Sequence, residues 1–212
     1  KIFKKNKFAE IPNLISFSDR ITDNINKRHI EKSILYLGRI NKTKGIDLLI
    51  KAFEKIENKE ITLKIAGEFN EYKIELERLV GSLKLTKKVV FLGMVKGNQK
   101  EELIKNSWVM ASPTFSDVIG MVNLEAALNK TPIITTRNTG LHKDWNINGG
   151  TLIEANVEEL TKALKESMNW SLEERVNKGS LLFDFAKQHY SWESRIYDWE
   201  LLYKKVVLDE IN

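Results

Sequence analysis

Two short stretches carry side chains of the right types and spacing to hold a phosphorylated, hydroxyl-rich ligand. In Ser112–Glu125, written SPTFSDVIGMVNLE, the carboxylates Asp117 and Glu125 stand eight positions apart across a polar loop and the helix it feeds, with Gly120 at the junction. A helix opening near Gly120 presents the N–H groups of Gly120, Met121 and Val122, which have no acceptor inside the helix and suit a phosphate. Asp117 has the chemistry to accept hydrogen bonds from sugar hydroxyls, and Glu125 to take a cis-diol such as ribose. The same two residues are also suited to capping the helix and supporting its dipole. In the second stretch, Gly38–Gly45 (GRINKTKG), Arg39 and Lys44 flank a loop that leads into a helix. A diphosphate is met by such a pair, a planar guanidinium for bidentate contact and an ammonium as a mobile point charge. The plain alternative is two solvated loop charges. The loop has neither the Walker nor the G-x-G-x-x-G spacing.

These residues need elements to position them, and the sequence supplies an alternation. Short β-rich apolar runs at Ser33–Gly38, Ile61–Ala66, Lys88–Leu92, Trp108–Ala111, Pro132–Thr136 and Thr151–Glu154 predict buried strands. Between and after them, helical spacing predicts helices over Gly45–Ile56, Glu71–Leu83, Asn98–Asn106, Gly120–Leu128 and Val157–Trp170. Strand and helix in turn indicate an α/β fold, a Rossmann-like parallel sheet with helices on both faces, whose ligand crevice lies at the carboxyl ends of the strands. Two further helices, Leu172–His189 and Trp192–Leu208, follow, with Ser191 as the expected cap of the second. Trp170, Trp192 and Trp199 are expected to pack these helices. The domain reading is therefore 1–32 as a linker or remnant of an upstream domain, 33–170 as the sheet domain, and 171–212 as terminal helices packing on it.

Composition narrows the function classes. The chain has no cysteine, which removes disulfides, thiolate metal sites and a cysteine nucleophile. Its three histidines, at 29, 142 and 189, have no metal-ligand spacing, so no metal is expected; His142 alone is near a strand end. Of the net charge of +5, residues 1–32 hold +4, from eight basic and four acidic residues. The remaining body is nearly neutral, which argues against a nucleic-acid partner and leaves room for peripheral contact with an anionic membrane surface. No apolar run is long enough to cross a bilayer, and KIFKKNKFAEIPN has no apolar h-region. The expected location is cytoplasmic, with the inner face of the membrane within reach.

Taken together, the motifs resemble a family. Gly38-Arg39 and Lys44-Gly45 follow a first strand. Next come Ala66-Gly67-Glu68, Val89-x-Phe91-x-Gly93, Ser112-Pro113 with Asp117, Gly120 and Leu124-Glu125-Ala126, and finally Thr131-Pro132-Ile133-Ile134. This series is similar to the nucleotide-binding C-terminal half of retaining GT-B glycosyltransferases of family 4. Ile11-Pro12-Asn13 resembles the turn that joins the two domains in that family, and the terminal helices fit its long helix returning to the N-terminal domain. The resemblance implies half of a GT-B fold and sugar transfer from a nucleoside-diphosphate sugar, UDP or GDP, to a glycan or lipid-linked acceptor, with retention and without a metal or other cofactor. It implies that Arg39 and Lys44 hold the diphosphate and stabilise the departing nucleotide. Asp117 would then hold the donor sugar, Gly120, Met121 and Val122 contact sugar and phosphate through their N–H groups, Glu125 bind ribose, and the backbone of Met94 and Val95 meet the base.

The chain departs from that pattern in several places. Asp117 stands for a glutamate, Val118-Ile119 for Gly-Phe, Gly67-Glu68-Phe69 lacks a second glycine, and Asn129-Lys130 replaces a small residue and glycine. The N-terminal acceptor domain is not present in the sequence, so the chain is expected to bind donor and to turn it over poorly. A non-catalytic nucleotide-binding or scaffold module derived from such an enzyme is the alternative expectation.

Overall fold

The computed structural model describes residues 13–17, 28–57 and 60–211. Six strands form a wholly parallel sheet: β1 (Glu31–Leu37), β2 (Thr62–Ala66), β3 (Val89–Gly93), β4 (Ser107–Ser112), β5 (Ile133–Thr136) and β6 (Thr151–Ile153). Their spatial order is β3-β2-β1-β4-β5-β6. Helices α1 (Ile46–Glu54), α2 (Glu71–Ser82), α3 (Gly97–Asn106), α4 (Met121–Leu128) and α5 (Val157–Asn169) connect or follow the strands, and α6 (Leu172–Tyr190) and α7 (Trp192–Ile211) end the chain.

Alternation within each strand divides the core in two. Ile34 and Tyr36 of β1 join Leu63, Ile65, Val109 and Ile134 in a cluster with Leu49, Ile50 and Phe53 of α1, Leu76 of α2 and Leu164 of α5. Leu35 and Leu37 point the other way, to Met110, Ile133 and Leu152 and to Ile104 of α3, Leu124 of α4 and Leu182 and Phe185 of α6. Burial on both faces is why these strands read as continuous apolar runs. The chain winds outward from β1 to β3, returns to the middle for β4, and winds out the other way. The reversal lies between β1 and β4, where a doubly wound sheet opens its crevice.

Local chemistry sets the helix starts. Asn70 accepts from the N–H of Tyr72 at 3.1 Å, and Asn156 from that of Glu159 at 2.9 Å. Ser171 and Glu174 form a reciprocal capping box. Ser191 accepts from the N–H of Ser194 at 3.1 Å, as expected of it. Element bounds differ from the sequence reading by up to three residues, and β1 begins at Glu31. There the Lys32 ammonium reaches the Met168 carbonyl at 2.9 Å and lies 4.2 Å from the Trp108 ring centroid, so polar residues continue the strand. Of the inter-domain turn read at Ile11-Pro12-Asn13, Ile11 and Pro12 lie outside the described residues. Just beyond it, Ile15 donates to the Tyr190 carbonyl at 2.9 Å, and Phe17 packs edge-on against Phe183. Of the tryptophans expected to pack, Trp170 is buried, whereas Trp192 is exposed on α7. No helix of the described residues is long and apolar enough to cross a membrane.

A buried cation ties α6 to the sheet. Arg175, fully buried, donates to the carbonyls of Ser107, Trp108 and Lys130 at 2.8, 3.2 and 3.1 Å and to the Thr131 hydroxyl at 3.2 Å. Burial, aided by the nearby Arg28 charge, lowers its guanidinium to about 9. It remains a cation at neutral pH, held by carbonyl dipoles at the C-terminal end of α4 and the start of β4. Lys130, one of those acceptors, has a left-handed backbone at φ 53, the position that the resembled family fills with glycine. Arg175→Met would leave several buried carbonyls unpaired, and a loss of about 3 kcal/mol is expected. Thermal unfolding should then show a melting point lower by roughly 6–12 °C. A second expectation concerns pH. Burial, His142 and Arg195 lower the His189 imidazole, opposed by Asp144. The folded chain therefore binds that proton less tightly than the unfolded one. Stability is full above the ordinary value of 6.5 and falls as pH drops from there toward the lowered folded value. Melting temperatures measured from about pH 7 to about pH 5 should fall, and His189→Asn should flatten the slope.

Candidate functional site

The switch point brings the β1–α1 and β4–α4 loops side by side. In the first, Asn41 accepts from the Thr43 N–H at 2.9 Å and opens a 3-10 turn over Lys42–Lys44. Gly45 ends the turn with φ 64 and starts α1. A Cβ on Gly45 would lie 2.1 Å from the Pro113 carbonyl oxygen, so only glycine permits this approach. The Thr43 carbonyl accepts from the Phe115 N–H at 2.8 Å and from the Thr114 hydroxyl at 3.1 Å. The K-G dipeptide and the S-P-T run, nearly 70 positions apart in sequence, are thus laced together.

Across this seam Lys44 donates to Asp117 Oδ2 at 2.5 Å, with both side chains largely shielded from solvent. The other Asp117 oxygen accepts from the Val118 N–H at 3.0 Å. Asp117 therefore does not cap α4, whose N-cap is Gly120 at φ 67, with no side-chain capping bond. Its carboxylate still faces the helix start, because a Cβ on Gly120 would lie 3.2 Å from Asp117 Oδ2. The backbone of the loop is pinned from β5's side, where Asp117 N–H donates to Asn138 and Gly140 N–H to Val118, at 3.1 and 2.6 Å.

A cleft of about 310 Å³ opens beside this cluster, at the carboxyl ends of β1, β2 and β3. Arg39, Gly67, Met94, Val95, Val122 and Glu125 line it, together with Lys100. Of the residues predicted from sequence, Arg39, Met94, Val95, Val122 and Glu125 share this cleft. Lys44, Asp117 and Gly120 form the adjoining cluster, and the first turn of α4, with Met121 exposed, joins the two. Arg39 is exposed and has no carboxylate partner among the described residues. Glu125 does have a partner: Lys100 on α3, at 2.9 Å. His142 takes a structural part, its Nδ1 accepting from the Asp144 N–H at 3.2 Å while its ring stacks on His189.

Two site residues were not evident in the sequence. Lys100 belongs to an ordinary polar helix, and only the β3–α3 turn aims it at Glu125. Tyr36 lies in the apolar run of β1, fully buried, and donates its hydroxyl to the Arg39 carbonyl at 2.7 Å. Burial is the main cause raising that phenol, so it stays a donor and fixes the loop backbone from below. The signal was present, since a tyrosine in a two-sided buried strand needs an acceptor nearby. A second groove, about 410 Å³, lies between α1 and α2, but its Lys42 and Lys51 are paired with Glu75 and Asp47.

The geometry is that of a sequence family. The profile described as Glycosyl transferases group 1 matches residues 17–180. The chain is 29% identical over 180 residues to an uncharacterized glycosyltransferase of Methanocaldococcus jannaschii, an alignment covering 82% of this chain and 45% of that relative. It superposes on sucrose-phosphate synthase from Thermosynechococcus elongatus with a TM-score of 0.80 and 21% identity, over 94% of this chain and 52% of that one. Anabaena HepE, solved in complex with UDP-glucose, aligns with a TM-score of 0.70 and 20% identity, over 82% of this chain and 49% of that one. These two likenesses show a shared fold, the Rossmann-like half of a GT-B enzyme, and the chain spans about half the length of each protein. Since the profile covers most of its residues, the chain belongs to the group 1 glycosyl transferases.

Proposed function

We propose that this domain is the donor-binding, C-terminal half of a retaining, metal-independent GT-B glycosyltransferase that uses a UDP- or GDP-sugar. The observation that carries the reading is the meeting, at the sheet's switch point, of Arg39, without a carboxylate partner among the described residues, a carboxylate at Glu125 and the first turn of α4 around one cleft. In this reading the base lies against Met94 and Val95, and Glu125 accepts from the ribose hydroxyls. Arg39, Lys44 and the N–H groups of Gly120 to Val122 receive the diphosphate, and Asp117 faces the donor sugar.

The chemistry asked of these residues is electrostatic. Breaking the glycosidic bond to the diphosphate leaves negative charge on the leaving group. Arg39 and a helix N-terminus, joined by the Lys44 ammonium beside them, stabilise that charge. The acceptor, a glycan or lipid-linked sugar, would be held by an N-terminal domain facing the same strand ends. The apolar residues that α7 leaves exposed, among them Trp192, Ile196 and Leu201, support a terminal helix that reaches such a domain. The reading of 33–170 as donor domain and 171–212 as helices shared with the second domain rests on that surface.

UDP and GDP titrated into the protein should raise its melting temperature for at least one of the two. At a hundredfold excess over the dissociation constant the gain is about 2.7 kcal/mol, or roughly 5–11 °C. Arg39→Ala should abolish most of that shift; retention of the full shift would place the diphosphate elsewhere. Glu125→Ala should weaken the same nucleotide by about tenfold or more without weakening inorganic pyrophosphate, as expected of a ribose contact. Transfer assayed in a protein containing both domains separates the enzyme from a nucleotide-binding scaffold: the scaffold would bind and never turn over.

A further inference from the structure

We infer that Asp117 is a displaceable counter-ion for Lys44: a diphosphate takes Lys44 away from it, and the carboxylate so released becomes available to the sugar of the same donor. The inference rests on the donor-binding reading above and deepens it, by assigning an order of events to one site.

Lys44 does not stand ready for a phosphate. Its ammonium is already engaged, 2.5 Å from Asp117 Oδ2, at side-chain exposures of 15% and 25%. Apart from one bond to Asp117 Oδ1, the other bonds around the pair fix backbone rather than side chain. Thr43 is held through its carbonyl by Phe115 and Thr114. Asp117 is held through its N–H by Asn138 and through Oδ1 by the Val118 N–H. Lys44 is therefore anchored up to its Cα but carries a long, rotatable stem, whereas Asp117 has a short side chain held at its own N–H and at one carboxylate oxygen. When a competing anion arrives, the lysine is the partner that moves.

The short side chain at 117 matters here. Asp117 reaches Lys44 while its Oδ1 stays on the adjacent N–H, and Oδ2 remains turned toward the start of α4. A bare carboxylate in that place would repel a diphosphate, and a bare ammonium would hold any passing anion. Paired, the two nearly cancel. A diphosphate settling on Arg39 and the first turn of α4 draws Lys44 over, and Asp117 Oδ2 then lacks a donor, which a sugar hydroxyl provides. A nucleoside diphosphate without sugar gains Lys44 but leaves Asp117 unpaired beside it. The pair thus makes the site favour an intact donor over its product.

Calorimetric titration with UDP, GDP and their glucose or mannose conjugates tests this on the wild type, Asp117→Asn and Lys44→Met. The isosteric asparagine keeps the acceptor for the Val118 N–H, and far-ultraviolet dichroism checks that each variant is folded. Asp117→Asn should bind the free diphosphate on the order of fivefold or more tightly than wild type, while its gain for the sugar conjugate is smaller. In Lys44→Met, the further change Asp117→Asn should tighten the free diphosphate less than it does with Lys44 present. Unchanged or weaker diphosphate binding by Asp117→Asn, with the wild type binding normally, overturns the counter-ion role alone. If no nucleotide binds the wild type, the donor-binding reading falls and takes this inference with it.

Discussion

The arrangement depends on one close approach, that of the Gly45 backbone to the carbonyl of Pro113. A single methyl group there would sit 2.1 Å from that oxygen. Because it is absent, the β1–α1 loop lies directly on the β4–α4 loop, and the Thr43 carbonyl collects two hydrogen bonds from it. Lys44 and Asp117, adjacent to this seam, are then brought to hydrogen-bonding distance although 73 positions separate them. A backbone contact, rather than the ion pair, is what fixes the distance.

That contact is possible only because of the strand order. β1 and β4 are neighbours, yet three strands, three helices and their turns separate their carboxyl ends in sequence. A sheet in simple sequential order would place the two loops several strands apart, about 5 Å per strand. The reversal between β1 and β4 brings together one loop rich in cations and one ending in a helix N-terminus. The first turn of α4 then belongs to both the ion-pair cluster and the cleft, and it is the structural link between Lys44 and Glu125. Tyr36 and Asn70 brace the floor, donating to the carbonyls of Arg39 and Ile40.

Much of this was legible before any coordinates. The two-sided burial of Ile34 to Leu37, the glycine ending each early strand and the helical spacing of Ile46, Leu49, Ile50 and Phe53 are strong, local signals, and they place the fold and its crevice. Arg39, Val122 and Glu125 followed from loops and a helix start at strand ends, and Val95 from the family resemblance. Partner choice was not legible. Whether Glu125 meets water or Lys100, and whether Asp117 caps a helix or holds a lysine, depends on turns whose direction no periodicity encodes. Arg175 was equally hidden: a lone arginine in an amphipathic helix reads as surface, and only the carbonyls that converge on it explain its burial.

The departures from the resembled family differ in physical kind. Lys130 occupies a left-handed backbone where glycine would be unstrained, at a cost of about 1–2 kcal/mol. The fold offsets that locally. Its carbonyl accepts from Arg175, its N–H donates to Ala127, and its ammonium lies 5.0 Å from the Phe183 ring centroid. Val118 is another matter. Its carbonyl is held by Gly140, and it is absent from the described residues that combine a side chain with positive φ, Lys84 and Lys130. The backbone at 118 therefore carries no left-handed strain that needs compensation. Yet the valine is 75% exposed, an apolar group beside Asp117 on the open side of the site. Packing does not explain it, since it fills no space in the core.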